Sequence, residues 1–289
     1  MGGGKSVRKL LVMICLCLLG FTGDANAWGW EAHKLVCALA EEQLSVDAKK
    51  MVSNLLADGS KLKGGQKSFP VSCLWPDEVK YSSRKGTYEH HFINVPNDAN
   101  SIDLQRDCAA LNCIAVGLQQ ALRYLSQPAK GDREKLRRAA ALRFLGHYLA
   151  DLHQPLHVGN ASDWGGNKIK IRWRGKSTNL HALWDYDMLE TMNITYPQSL
   201  PILRSVPSKQ ISGNVHSWLN ESLLLARKVA YIKLDGRLIE SGDSLGEDYF
   251  NRSKPVLLER MALAAARLAH LLNEIAAGRQ PKAFSLKPG

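Results

Sequence analysis

"DREKLRRAAALRFLGHYLADLHQPLH", residues Asp132 to His157, decides the class of fold. From Asp132 to Gln154 the apolar spacing reads as one long helix, the clearest in the chain. Asp132 stands in the capping position. Pro155 closes the stretch, because proline disfavours helical backbone in the residue before it. His147 and Asp151 are four residues apart, so they lie one turn from each other on one face. His157 follows on the bend that Pro155 makes. The longest helix therefore ends in side chains suited to holding a metal ion.

The segments on either side read the same way. Upstream, Glu31–Leu44 repeats apolar residues at helical spacing. Ser45 then reads as the N-cap of "VDAKKMVSNLLA" (Val46–Ala57). Cys113–Gln127 is a third helix, ended by Pro128. Downstream, Asn167–Gly175 alternates apolar and polar residues, as a short strand or hairpin arm does. Leu180–Met192, Asn214–Ile232 and Pro255–Ala277 return to helical patterning. The expected fold is all-α: one mainly helical domain over 28–277 with a short β-hairpin. The basic, proline-interrupted 278–289 reads as a loose tail.

The first 27 residues have the layout of a cleaved signal peptide. Lys5, Arg8 and Lys9 precede the apolar Leu10–Phe21, and Ala25-Asn-Ala27 fits signal peptidase. That run is shorter than the ~18–20 residues of a membrane span. The expectation is a secreted or periplasmic chain that starts at Trp28 and has no stable membrane anchor. The formal net charge is +11, and the leader carries three Lys/Arg against one Asp. The remainder keeps a basic balance that favours polyanionic partners such as nucleic acid. The composition is that of a folded domain rather than a disordered chain.

Cys37, Cys73, Cys108 and Cys113 follow the leader. Four cysteines in an exported chain suggest two disulfides, with three pairings open. Cys108 and Cys113 are near enough in sequence to close a small loop. The lack of two close-spaced CxxC units weighs against a zinc–thiolate site. Asn160, Asn193, Asn220 and Asn251 begin N-x-S/T sequons, which matter only in a eukaryotic host.

Histidine and aspartate carry the chemistry. His181 and Asp185 in "HALWD" repeat the spacing of His147 and Asp151, and His33, Asp77 and the pair His90-His91 stand upstream. Imidazole and carboxylate are ordinary zinc ligands. A single HxxxD is weak evidence. Two of them, with the bent "HQPLH" and further His and Asp, exceed what one tetrahedral ion needs, so more than one metal is expected.

On these residues the chain resembles the single-strand-specific zinc nucleases of fungi and plants, the bifunctional nuclease/3′-nucleotidases. The shared stretches are "WGWEAH" (Trp28–His33), "CLWPDEVK" (Cys73–Lys80), "HHFINVP" (His90–Pro96), "RDCAALNC" (Arg106–Cys113), "GHYLADLHQPLHVG" (Gly146–Gly159), "GGNKIKIRW" (Gly165–Trp173) and "NLHALWD" (Asn179–Asp185). They run in family order along almost the whole chain after the leader. The resemblance implies a helical, phospholipase C/nuclease-like fold and three Zn2+ ions. Asp77, His91, His147 and Asp151 would hold the first ion. His157, His181 and Asp185 would hold the second. The third would take His33, a bridging Asp151, and Trp28 through its own amine and carbonyl. That would explain why "WGWEAH" follows the leader without a spacer. His90 competes with His91, and the family motif favours His91. His153 would lie on another face of the helix.

The resemblance also assigns functions. It implies an endonuclease acting on RNA and single-stranded DNA to give 5′-phosphates, with 3′-mononucleotides as further substrates, and a monomer. Asp77, Lys80 and Asp151 would be catalytic, with Lys80 beside the scissile phosphate. Phe92 would stack a nucleobase, and Asn94 and Asn167 would bind substrate. Asn94 stands where the family has Asp, which leaves base preference open. The implied disulfides are Cys37–Cys73 and Cys108–Cys113. The alternative is a zinc-dependent phospholipase C of the same fold. Asp185, where that family uses Glu, and the basic charge weigh against it.

Overall fold

The helix that begins beside Asp132 organises the molecule. In the computed structural model, which describes residues 28–62, 64, 68–108, 112–207 and 211–281, every residue from Ala139 to His153 except Phe144 is buried. The proposed leader (1–27) and most of the proposed tail (282–289) lie outside the described residues.

In chain order, α1 (Trp30–Glu42) and α2 (Val46–Gly59) open the fold. The Ser45 hydroxyl accepts from Ala48 N–H, as its N-cap position predicts. Two short helices follow, α3 (Phe69–Ser72) and α4 (Trp75–Val79), each with proline in its first turn. A 3-10 segment covers Lys85–His91. Then come α5 (Leu104–Asp107), α6 (Ile114–Ser126) and α7 (Asp132–His153). A 3-10 turn, Pro155–Val158, leads to strands β1 (Lys170–Trp173) and β2 (Lys176–Asn179). Helices α8 (Leu180–Ala182) and α9 (Met188–Thr191) flank a widened turn at Leu183–Asp187. The chain continues through α10 (Leu200–Arg204), α11 (Val215–Leu225), the two-residue β3 (Ser244–Leu245) and α12 (Glu247–Ala276). The fold is mainly helical, as expected.

Helix α7 packs against α6, α2, α12 and α1, and α1 also lies along α12. A helix covered on all sides needs apolar residues all round, which is why Ala139–Ala141, Leu142, Leu145, Leu149 and Leu152 circle its axis. Each leucine buried there stabilises the fold by about 1.5–3 kcal/mol. Gly131, not Asp132, occupies the capping position of α7, and the Asp132 side chain accepts no capping bond there. Asp132 and Glu134 sit instead in the first turn, where negative charge suits the helix dipole.

Three further expectations are corrected. Helix α12 begins at Glu247, not Pro255, and runs through the proline. The carbonyl that Pro255 leaves without an N–H partner belongs to the exposed Asn251, where water can satisfy it. The strand expected from Asn167 starts at Lys170, because 161–168 is taken up by turns. Arg174 and Gly175, both with positive φ, turn β1 into β2, as two-residue hairpins require. Trp173 pairs with Lys176 and Lys170 with Asn179, while β3 adds a short parallel edge that the sequence pattern did not suggest. Finally, Leu180–Met192 is not one regular helix but is widened at Leu183–Asp187.

The disulfides are Cys37–Cys73, joining α1 to the end of α3, and Cys108–Cys113. No described helix is long and apolar enough to cross a membrane.

Candidate metal centre and substrate cleft

Seven elements bring the sequence-predicted ligands to one place. His33 comes from α1, Asp77 from α4, His91 from the end of the 3-10 segment, and His147 and Asp151 from α7. His157 follows on the turn after Pro155, His181 sits in α8, and Asp185 in the widened turn. None is more than 8 % exposed. Asp151 is the hub. Its Oδ2 lies 3.0 Å from His91 Nδ1 and 3.2 Å from His147 Nε2. Its Oδ1 lies 3.3 Å from His33 Nε2 and 3.6 Å from His157 Nδ1. Asp77 Oδ1 is 3.5 Å from His147 Nε2 and 3.6 Å from His91 Nδ1. At the other end, His181 Nε2 is 3.1 Å from Asp185 Oδ2, and His157 Nε2 is 3.6 Å from Asp185 Oδ1.

Three groups of side chains could each hold a metal ion: His91, His147 and Asp151; His157, His181 and Asp185; and His33, Asp77 and His147. The third differs in membership from the set that the family resemblance implies. Trp28 stands just before α1, buried, and the next residue's N–H donates to the Asp185 carbonyl over 3.0 Å. Gly29 is required there, since a Cβ would come within 2.7 Å of that carbonyl oxygen.

The donor set fits metal ions. His33 Nδ1 and Nε2, Asp77 Oδ2, His91 Nε2, Asp151 Oδ1, His157 Nε2 and Asp185 Oδ2 are buried with no hydrogen-bond partner. Orphaned buried polar atoms cost about 1–3 kcal/mol each, and so many in one cluster need a cation to satisfy them. Three imidazoles are also held ready by backbone carbonyls. His147 Nδ1 donates to Cys73 O (2.7 Å), His157 Nδ1 to His91 O (2.8 Å) and His181 Nδ1 to Gly165 O (2.7 Å). Donation through Nδ1 leaves Nε2 free to bind metal.

Burial and charge set the protonation of the cluster. Burial pushes the His91 imidazole down to about 4, against the pull of Asp151. Burial and the neighbouring His147 also lower His33. At His147 burial opposes the charge, but Asp151 and Asp77 outweigh it and raise the group to about 10. His157 is likewise raised by Asp151 and Asp185 against burial. Burial works against the charge on the carboxylates too, yet Asp77 and Asp151 are held well below the usual range by His147 and their other cationic neighbours. Asp185 is lowered to about 2 by His181 and His157, again against burial.

A cleft of about 740 Å³ opens beside this cluster, lined by Lys80, Phe92, Asn94 and Asn167 together with His91, His157 and His181. Lys80, one turn after Asp77, is 2 % exposed, and its ammonium donates to Asp77 Oδ1 over 2.7 Å. Phe92 meets Tyr88 edge to face at 5.7 Å. The Asn167 amide donates to Trp164 O. The 3-10 segment explains which histidine enters the cluster. With three residues per turn, Tyr88 and His91 share a face and line this cleft. Arg84, Thr87 and His90 share another face and line a separate cavity of about 510 Å³.

A family model described as S1/P1 Nuclease matches residues 28–277. The chain belongs to the S1/P1 nuclease family. Among similar proteins, Endonuclease 1 of Arabidopsis thaliana is 29 % identical over 94 % of this chain and 94 % of its own. Endonuclease 3 of the same plant is 32 % identical over 94 % and 96 %. Nuclease S1 of Aspergillus oryzae (strain ATCC 42149 / RIB 40) is 29 % identical over 92 % and 98 %.

The site of this S1/P1 nuclease also contains residues that the sequence reading missed. Gln154 is fully buried; its amide donates to Asp185 Oδ1 over 2.7 Å, and its carbonyl accepts from Leu156 N–H. Its place inside "DLHQPLH" was the available signal. Tyr88, Glu89, Trp164, Lys168, Lys170 and Asn179 complete the cleft wall. His153, in contrast, faces away: Nδ1 donates to Leu149 O and Nε2 accepts from Arg267.

Proposed function

We propose that this nuclease is a zinc-dependent endonuclease that hydrolyses RNA and single-stranded DNA to 5′-phosphate products, with 3′-mononucleotides as further substrates. The observation that carries the reading is the meeting of the His/Asp cluster with a cleft that offers cations and aromatic rings. Three zinc ions are assigned to it. Asp77, His91, His147 and Asp151 would hold one. His157, His181 and Asp185 would hold a second, and His33, a bridging Asp151 and the amine and carbonyl of Trp28 a third. When bound, zinc supplies Lewis acidity, easing ionisation of water near neutral pH and offsetting charge on a phosphodiester.

The protein's own groups do the rest. Lys80, pinned by Asp77, presents its ammonium to the phosphate. Phe92 stacks an unpaired base, worth about 1–3 kcal/mol, which favours single strands over duplex. Asn94 and Asn167 offer amides to base and phosphate. The low protonation tendency of Asp77, Asp151 and His91 keeps these donors available at neutral pH. The signal-like leader supports export, with Trp28 as the first residue of a monomeric domain over 28–277.

The test is turnover of single-stranded DNA, RNA and phosphatidylcholine, with and without a chelator. Cleavage of both nucleic acids, abolished by the chelator and restored by Zn2+, is the expected result. Lipid cleavage without nucleic-acid cleavage would overturn the proposal in favour of a phospholipase C. Asp151→Asn is expected to lower turnover at least ~100-fold and to release two metal ions together, by elemental analysis.

A further inference from the structure

We propose that the cavity behind the metal centre, rimmed by Arg84, Arg133 and Arg137, is a second ligand site that takes a nucleoside 5′-monophosphate. The choice of nucleotide rests on the nuclease reading above, in which such molecules are the products.

The site lies on the far side of the Lys85–His91 segment from the cleft. Its cavity of about 510 Å³ shares no lining residue with the cleft. That volume falls within the range of about 300–1,000 Å³ in which small organic ligands are held. The three arginines are exposed along its edge, Arg84 just before the segment and the other two in the first turns of α7. Among the described residues none of them pairs with a carboxylate. The acidic side chains flanking Arg133 are engaged elsewhere: Asp132 faces Lys135 at 3.8 Å, and Glu134 accepts from the Lys130 N–H. Arg84 lies over the Trp75 ring at 5.9 Å, and Arg137 over Tyr124 at 5.1 Å. A ring face steadies a guanidinium without cancelling its charge, and such planar cations suit a phosphate.

Inside, α6 and α7 supply a flat apolar wall. Phe144 stacks on Tyr148 with centroids 5.2 Å apart and planes within 22°. Gly117 lets α6 close on this wall, since a Cβ there would come within 2.8 Å of His90 and 2.9 Å of Tyr148. Polar groups are set into the same surface. The buried Tyr148 hydroxyl has no hydrogen-bond partner of normal geometry, and His90 and Gln120 line the same space. An aliphatic chain would leave these groups unpaired, at the usual penalty for buried polar atoms. An inorganic anion would leave the apolar wall uncovered. A heteroaromatic base answers both, with a face for Phe144 and an edge that donates and accepts. Joined to a phosphate among the arginines, that ligand is a nucleotide.

An occupied site also reaches the metals. Tyr148 follows His147 in α7 and meets the His91 ring edge to face at 5.1 Å. A ligand that engages Tyr148 thus bears on two candidate metal ligands without touching either.

The test uses the zinc-loaded protein and adenosine 5′-monophosphate. By calorimetry the wild type is expected to bind two molecules per chain, one in the cleft and one here. Arg133→Gln combined with Arg137→Gln, at exposed positions outside the catalytic machinery, should weaken one of them at least ~10-fold and keep turnover of single-stranded DNA. Product inhibition should be mixed in the wild type and competitive in this variant. Tyr148→Phe removes the orphaned hydroxyl, so the melting temperature should hold or rise while affinity at this site falls several-fold. One molecule per chain in the wild type, or two bound with unchanged affinity in the double variant, would overturn the proposal. So would inorganic phosphate binding as tightly as the nucleotide, or decyl phosphate binding more tightly. Purely competitive inhibition in the wild type would exclude the link to the metals. If the wild type cleaves no nucleic acid, the nuclease reading fails, while the stoichiometry still decides the site.

Discussion

Single residues decide how ready the cluster is for metal. Gln154 touches no substrate, yet it holds one oxygen of Asp185 and so aims the other towards His181. Replacing it with Met keeps the volume and removes the bond. Loss of such a supporting contact typically costs about 10–100-fold in metal affinity. Gln154→Met is therefore expected to lose metal to a competing chelator at a correspondingly lower concentration. Protons oppose the metal at His147. In the metal-free protein its raised value, about 10, means that protonation stabilises the fold. That contribution is complete below the ordinary value near 6.5 and is lost as pH rises through about 10. Metal binding must displace the proton, so the loaded protein should show the opposite trend. Thermal melts between about pH 7 and 10 are expected to fall for the chelated protein and to hold or rise for the zinc-loaded one. Parallel curves would contradict the protonation of His147.

Helix α7 shows how an element carries a constraint from a disulfide into a site. A Cβ at Gly146 would lie 2.6 Å from Cys73 Sγ and 2.9 Å from Cys37 Sγ. Next to it, His147 donates to the Cys73 carbonyl. Alanine would raise helix propensity by about 1 kcal/mol. Overpacking against a cross-link costs about 1–3 kcal/mol, so the steric term wins. Gly146→Ala should lower both the melting temperature and zinc content; an increase in both would show the disulfide free to move. Much of this element is legible in the sequence, since the four-residue spacing of His147 and Asp151 by itself puts both on one face. The carbonyls that orient His147, His157 and His181 are not legible there, because those contacts join segments far apart in the chain. Nor does local patterning tell that α12 continues through Pro255, which depends on Asn251 facing water.

At the scale of the whole molecule, the site exists because distant ends of the domain meet. The residue before α1 and the turn before α9 touch through Gly29 and Asp185. The motifs made that meeting legible as chemistry, but not the exposed Trp164, whose spacing in "SDWGGN" looks like an ordinary turn. If the amine of Trp28 is a ligand, one extra residue before it should remove about one zinc per chain. Unaltered zinc content by elemental analysis would exclude that role.

The bond from His147 to the Cys73 carbonyl has a meaning for the cell that makes the protein. A nuclease endangers the RNA of its own maker. Here one imidazole of the cluster is aimed by a residue that Cys37 anchors, and that anchor forms in oxidising surroundings and is rare in reducing ones. If the chain is exported as proposed, it would lack the brace before export, and its hold on metal is expected to be weaker where the host's transcripts lie. Under the proposed export, oxidation of a single cysteine pair would act as a safety catch, released on the far side of the membrane.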